Sequence, residues 1–363
     1  MAQAGLEVRT DAGGNLVGHQ PGREPAAGTL LVGSHLDTVR DAGAFDGPLG
    51  VLVAIECIEL LHTQGVELPF AVDVLGFSDE EGLRFSTAYL GSRAVAGRLG
   101  PEMLEIRDAA GVTVRDALVE FGGDPDAIAT ASRDDERLVG YLEVHMEQGR
   151  ELERAGLPVG VVSTIVGATR AEARFTGLPG HAGTMAMADR QDALCAAAEW
   201  VLDVEQAAKD EPGLLATVGR LAAYPGAPNV VPGEVSATLD VRHADDEIRA
   251  GAAEALRERA DDIATSRRVH LGWQTRLDNA SVAVDPVLTA ALGRAVADRG
   301  ISVLRLPSGA GHDGVAISDI TGVAMLFVRC ANGVSHHPDE RVDPADARVA
   351  VEVLADAIMD LAG

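Results

Sequence analysis

Four short apolar runs, residues 29–33, Ala71–Phe77, residues 138–144 and Val323–Val328, each hand over to a histidine or a pair of acids. Runs of this length without polar alternation are the pattern of strands buried on both faces, as in a parallel sheet. His35 and Asp37 follow the first run, Glu80-Glu81 the second, His145 the third, and the loop from Cys330 to Pro338, with His336 in it, the fourth. The carboxyl ends of strands are where open α/β sheets keep their ligands. Between the first two runs, Leu49, Val53, Ile55, Ile58 and Leu61 recur at helical spacing, which predicts a helix over residues 47–64 and a right-handed βαβ unit. Asp46, eleven residues after His35, stands at the start of that helix, where a carboxylate suits both the helix dipole and a metal ion.

Any one of these residues has an ordinary explanation. Asp46 alone reads as a helix cap, the acid pair as a solvated turn, and His336-His337 as a polar loop. Five ligand-type side chains at the ends of one sheet are another matter. A set of three histidines and two carboxylates suits zinc, manganese or cobalt better than calcium or magnesium.

The remaining chain divides by pattern. At 363 residues it is long for a single core, so two domains are expected. Residues 170–175 alternate strictly, as a half-exposed strand does, and a helix is predicted over residues 190–209, with an apolar face of Ala193, Leu194, Ala197, Trp200, Val201 and Val204. Strands over 215–221, 235–241 and 269–275 and a helix over 246–265 complete an antiparallel α+β segment. Helices over 286–300 and 343–361 then return to the first pattern. The predicted fold class is therefore α/β, with a mixed, mostly parallel sheet flanked by helices formed by residues 1–166 and 283–363, and a smaller α+β domain inserted at 167–282.

Composition restricts the partners. Thirty basic against 56 acidic residues give a net charge of −26, which argues against nucleic acid and anionic membranes. No apolar stretch approaches transmembrane length and no secretory signal opens the chain, so the expected location is the cytoplasm. Cys57, Cys195 and Cys330 form no close cluster, and Cys57 and Cys195 lie in helical apolar patterns that predict buried thiols.

The motifs His35-Leu36-Asp37, Phe45-Asp46-Gly47, Asp79-Glu80-Glu81-Gly82, His145-Met146-Glu147-Gln148-Gly149 and Ser335-His336-His337-Pro338 resemble the metal motifs of the aminoacylase and carboxypeptidase clan of dinuclear metallohydrolases. Within it they look like the carbamoylase and allantoate amidohydrolase branch. The resemblance implies two divalent ions (Zn or Mn, with Co possible): His35 on one, His336 on the other, Asp46 bridging, and Glu81 and His145 completing the separate shells. It also implies Glu80 as general base and Asp37 as the partner that holds the His35 imidazole. Gly180-His181-Ala182-Gly183-Thr184 resembles the branch's lid motif, whose histidine donates to the oxyanion. Gln148, Asn229, Arg242 and the loop with Gly309, Ala310 and His312 correspond to substrate-binding elements. A guanidinium pairs naturally with a carboxylate, so Arg242 with Asn229 suits a substrate bearing one.

The function this resemblance implies is that of a ureido amidohydrolase acting on a small carboxylate-bearing substrate. Gly180 before His181, and Met325-Leu326-Phe327-Val328-Arg329-Cys330, look like allantoate amidohydrolases. An N-carbamoyl-L-amino acid hydrolase and a β-ureidopropionase are alternatives, as are an aminoacylase or dipeptidase of the clan and a non-catalytic binding protein of the same fold. The resemblance further implies a homodimer formed through the inserted lid domain. Members of the branch usually carry several dozen mostly helical residues ahead of the part matching residues 6–18, which this sequence does not supply.

Overall fold

The computed structural model describes all 363 residues. The chain forms two compact units, Met1–Thr164 with Ala283–Gly363, and Ile165–Val282.

The first unit is built on a nine-stranded mixed sheet with its parallel part at the centre. Ala71–Phe77, Thr29–His35, Leu138–Met146 and Val323–Val328 lie side by side in that order, all parallel. Antiparallel strands flank them, Leu16–Gln20 against Ala71–Phe77 on one side and Val159–Ile165 against Val323–Val328 on the other. Val323–Val328 is buried at every position and Ala71–Phe77 at all but the first, as expected for strands covered on both faces.

Three helices cover one face. Pro48–Thr63 offers Val53, Ala54, Ile58 and Leu61, Pro344–Leu361 offers Val353, Leu354 and Ile358, and Pro286–Asp298 offers Leu288, Leu292 and Val296. They join Leu30, Val32, Val72, Val74, Leu142, Val144, Leu326 and Val328 in one apolar core. Sequence sets two of the helix starts directly: Asp285 and Asp343 accept hydrogen bonds from the first-turn amides, and proline follows each where its missing N–H costs nothing. A short helix, Glu151–Ala155, follows the strand that carries His145. Gln148 has φ +57°, and the Glu147 carboxylate accepts from the amides of Glu151 (2.6 Å) and Leu152 (3.0 Å), capping the helix from outside.

The second unit is an antiparallel sheet with two helices, Ala193–Asp210 and Asp246–Arg267. Ala171, Ala173 and Phe175 of Gly167–Thr176 and Val235, Ala237, Leu239 and Val241 of Glu234–His243 face inward, packed around Trp200. Their neighbours Arg170, Glu172 and Arg174 are charged, so the strict alternation marks one wet face. The strand expected over 215–221 is two strands, Leu215–Thr217 and Leu221–Tyr224, each paired to Glu234–His243. Cys195 departs from expectation too: it is exposed, because the buried stripe of its helix runs through Ala193, Ala196, Ala197, Trp200 and Val204. No helix of the protein is long and apolar enough to cross a membrane.

Candidate metal centre

Register brings the strand ends level. His35 is the last residue of its strand and is opposite Phe77, the last of the next, while His145 is opposite Phe327. Glu80 and Glu81 follow Phe77, and His336 lies in the loop after Val323–Val328. Asp46 reaches the same place from the helix side. Its successor Gly47 has φ +83°, and a Cβ there would lie 2.3 Å from His35 Nδ1, so only glycine lets the helix start this close to the ring.

The five side chains form two triads that share Asp46: His35, Asp46 and His145, and Asp46, Glu81 and His336. The carboxylate divides its oxygens between them. Oδ1 is 3.2 Å from His145 Nε2 and 3.9 Å from His35 Nε2, whereas Oδ2 is 3.1 Å from His336 Nε2. His336 Nε2 lies in turn 3.3 Å from Glu81 Oε1. A bridging carboxylate between two cations needs this division.

The imidazoles make the case for a cation sharper. His35 Nδ1 donates to the Asp37 carbonyl oxygen at 2.7 Å, and His145 Nδ1 to that of Met146 at 2.9 Å. A carbonyl only accepts, so each Nδ1 carries the hydrogen, and a ring that is neutral turns a bare Nε2 lone pair inward. The two Nε2 atoms are 3.3 Å apart. Two buried lone pairs at that distance repel unless positive charge lies between or beside them. Burial, then the neighbouring His145, lowers the His35 pKa to about 4. Burial opposes a proton on His145 also, yet the hydrogen bond and charge of Asp46 raise its pKa. Asp46 is pulled down by His145, His35 and His336 against its own burial. The donor set therefore fits two divalent ions.

Behind the triads is a reserve of buried carboxyl groups. Glu80 is 6% exposed, and burial followed by the charges of Asp313, Glu81, Glu143 and Asp37 raises its pKa well above the ordinary carboxylate value. Glu143, fully buried, is pushed to about 7 by burial and accepts from Ser34 Oγ and the Gly314 amide, both at 3.2 Å.

Three other assigned residues lie around the triads. Asp37 holds His35 with its backbone carbonyl; its carboxylate is 3.8 Å from the ring and accepts instead from the amides of Glu80 (3.0 Å) and Glu81 (3.2 Å). It thus ties one strand exit to the next. Gln148 Nε2 donates to both oxygens of Asp46, at 3.1 and 3.0 Å, and to Ser335 Oγ at 3.0 Å, which puts it against the carboxylate that the two triads share. His312 is 1% exposed, bonded to Ser308 Oγ at 2.6 Å and packed edge-on against His145, ring centroids 4.5 Å apart. Gly309 and Ala310, earlier in that loop, do reach the surface.

His181, Asn229 and Arg242 belong to the second unit. There the ribbon of Gly180–His181 with Val230–Val231 brings the first two together, the Ala182 amide donating to the Asn229 carbonyl at 2.9 Å, and both residues are exposed. Arg242 stands on Glu234–His243, its guanidinium bonded to Asp240 at 2.7 and 3.0 Å. Sequence reasoning missed Ser335, which donates to Asp46 Oδ2 at 3.1 Å, and Glu340, which accepts from the Asp46 amide at 2.9 Å. Ser335 adjoins a candidate ligand, which is a usable signal, whereas nothing local distinguishes Glu340.

Residues 31–360 match the model of peptidase family M20/M25/M40. The chain is 42% identical, over its whole length and 88% of the relative's, to an N-carbamoyl-L-amino acid amidohydrolase of Geobacillus stearothermophilus. It is 39% identical, over 94% of its length and 77% of the relative's, to allantoate deiminase 1 of Glycine max. A crystal structure of a hydantoinase/carbamoylase family amidase from Burkholderia multivorans superposes with a TM-score of 0.91 at 33% identity, covering 99% of this chain and 87% of that one. With strand ends, paired triads and whole-length similarity in agreement, the chain belongs to the M20/M25/M40 family of metal-dependent hydrolases.

Proposed function

We propose that this chain hydrolyses the terminal ureido C–N bond of a small carboxylate-bearing substrate, with His35, Asp46 and His145 holding one divalent ion and Asp46, Glu81 and His336 the other. The observation that carries the reading is the division of the Asp46 oxygens between two triads beside a buried, unligated Glu80. Two bound cations would polarise the ureido carbonyl and acidify a water molecule. Glu80 accepts the proton of the attacking water, because its carboxylate is left out of both triads. When the C–N bond breaks, Glu80 returns that proton to the leaving nitrogen, ammonia departs, and the carbamic acid left behind loses carbon dioxide. Gln148 steadies Asp46, and Asp37 fixes the backbone of Glu80 and Glu81.

The second unit supplies specificity in this proposal and acts as lid and dimerisation domain. His181 donates to the oxyanion, and Asn229 and Arg242 bind the substrate carboxylate, which competes with Asp240 for the guanidinium. Allantoate is the proposed substrate and zinc or manganese the proposed metal. An N-carbamoyl-L-amino acid is the second reading, favoured by the 42% identity to the Geobacillus stearothermophilus relative.

The test is a panel of allantoate, N-carbamoyl-L-amino acids, 3-ureidopropionate and dipeptides offered to metal-loaded protein. Ammonia release from a ureido substrate is expected, and cleavage of dipeptides alone sinks the proposal. Glu80→Gln should abolish turnover, a loss on the order of a thousandfold or more, with metal content intact. A Glu80→Gln protein that keeps most of its activity removes Glu80 from the base role.

A further inference from the structure

One buried carboxylate near the centre belongs to neither triad and is not Glu80. Glu340 is 5% exposed, and its Oε1 accepts from the amides of Phe45 at 2.8 Å and Asp46 at 2.9 Å. Those amides precede the helix Pro48–Thr63 and lie outside any strand, so neither has a secondary-structure partner. A buried amide left without an acceptor is destabilising, which is the bland reason for an acid here.

The surroundings go further than that. Glu340 is carried by the same loop as His336, and the loop is itself pinned: the Glu340 amide donates to His337 O at 3.0 Å, the Ala331 amide to Arg341 O at 2.8 Å, and Cys330 bridges Val342. From that base the loop touches Asp46 three times. Ser335 Oγ and His336 Nε2 each lie 3.1 Å from Oδ2, and Glu340 takes the backbone amide. On the facing segment, a Cβ at Gly43 would lie 2.4 Å from the Glu340 Cβ, so the two backbones are as close as a missing side chain permits. The other oxygen, Oε2, is buried with no partner, an arrangement that satisfying two amides alone does not require.

We infer that Glu340 is a positioning residue for the bridging carboxylate: it fixes the Asp46 backbone relative to the loop that supplies His336, so that one oxygen meets each triad. The inference rests on the metal-centre reading. It predicts that reach, rather than charge, is what counts. Glu340→Gln keeps an acceptor at the same distance and loses the charge, Glu340→Asp keeps the charge and falls short by one methylene, and Glu340→Ala loses both.

Affinity of the metal-free full-length chain for Co²⁺, followed by calorimetry and by the visible spectrum, separates them. Glu340→Gln should stay within about threefold of wild type, while Glu340→Asp and Glu340→Ala weaken uptake by about 10–100-fold and alter the spectrum of the ion held by Glu81 and His336. Melting of the metal-free proteins shows whether Glu340→Ala is folded; if it is not, the Gln and Asp variants decide. Wild-type affinity and spectrum in Glu340→Asp, with a loss in Glu340→Gln, overturns positioning in favour of charge. Unchanged uptake in both Glu340→Ala and Glu340→Asp overturns any role for Glu340. A wild-type chain that takes up no divalent ion overturns the centre itself, a different failure.

Discussion

The two triads share a carboxylate and little else. His35 and His145 are 2% and 1% exposed, end adjacent parallel strands, and have their rings fixed by carbonyl partners. His336 is 49% exposed with φ +57° in a loop, and Glu81 is 14% exposed. The buried triad is held by the sheet, since its two histidines cannot move without moving their strands. The exposed triad depends on how its loop is held. One centre therefore joins a preorganised half to a half that must be positioned, and the two should differ in how tightly they hold an ion and how fast they release it.

The harshest way to break that comparison is Asp46→Ala, which removes a ligand from both halves at once. Metal content should fall well below two ions per chain and turnover to background, because each triad is left with two donors. Full occupancy in that variant would contradict the bridging geometry. Next in size is the pair His145→Ala and His336→Ala. The first empties the buried half, leaves a cavity beside His312 and removes the bond to the Met146 carbonyl, so it should lose one ion and also lower the melting temperature. His336→Ala should lose one ion with melting of the metal-free protein unchanged. Equal melting shifts in the two variants would erase the asymmetry.

Chelation tests the same difference without mutation. Treating loaded protein with a chelator should release metal in two phases, the faster belonging to the exposed triad, and His336→Ala should lack the fast phase. A single phase in wild type would mean that the two halves exchange as one unit.

That asymmetry also divides what the sequence made legible. Ala71–Phe77 and Val323–Val328 were readable to the residue, and Thr29–His35 nearly so, because strands buried on both faces leave an unbroken apolar run. Four of the five candidate ligands stand out at the ends of such runs, where a core strand has no other need of them, and Asp46 stands at the start of a helix. The supports do not stand out. Glu340 reaches Asp46 across 294 residues of sequence, and Asp37, which the resemblance casts as the partner of the His35 imidazole, does that work with its carbonyl. His312 looks like a loop residue among glycines until the fold buries it against His145. Between Glu81 and Leu138, helices such as Leu90–Val95 and Val114–Phe121 surround a small separate core of Phe85, Leu90, Leu99, Leu104 and Val114, too short and irregular to announce itself by period. Local pattern encodes the strands and the candidate ligands at their ends; the contacts that aim those side chains are distant.

Asp37 allows the smallest and most discriminating test, because it serves both halves with different atoms. Its carbonyl holds His35 in the buried triad, and its carboxylate holds the amides of Glu80 and Glu81 beside the exposed one. Asp37→Asn leaves the carbonyl untouched and keeps one side-chain acceptor of two. The buried ion should therefore stay bound with wild-type affinity, while kcat falls by about tenfold as Glu80 and Glu81 lose a fixed backbone. If the carboxylate were instead the group that orients His35, the same substitution would weaken the buried ion and spare the exposed one. Measuring which of the two chelation phases changes in Asp37→Asn decides between a side chain that clamps a ring and one that joins two strand ends.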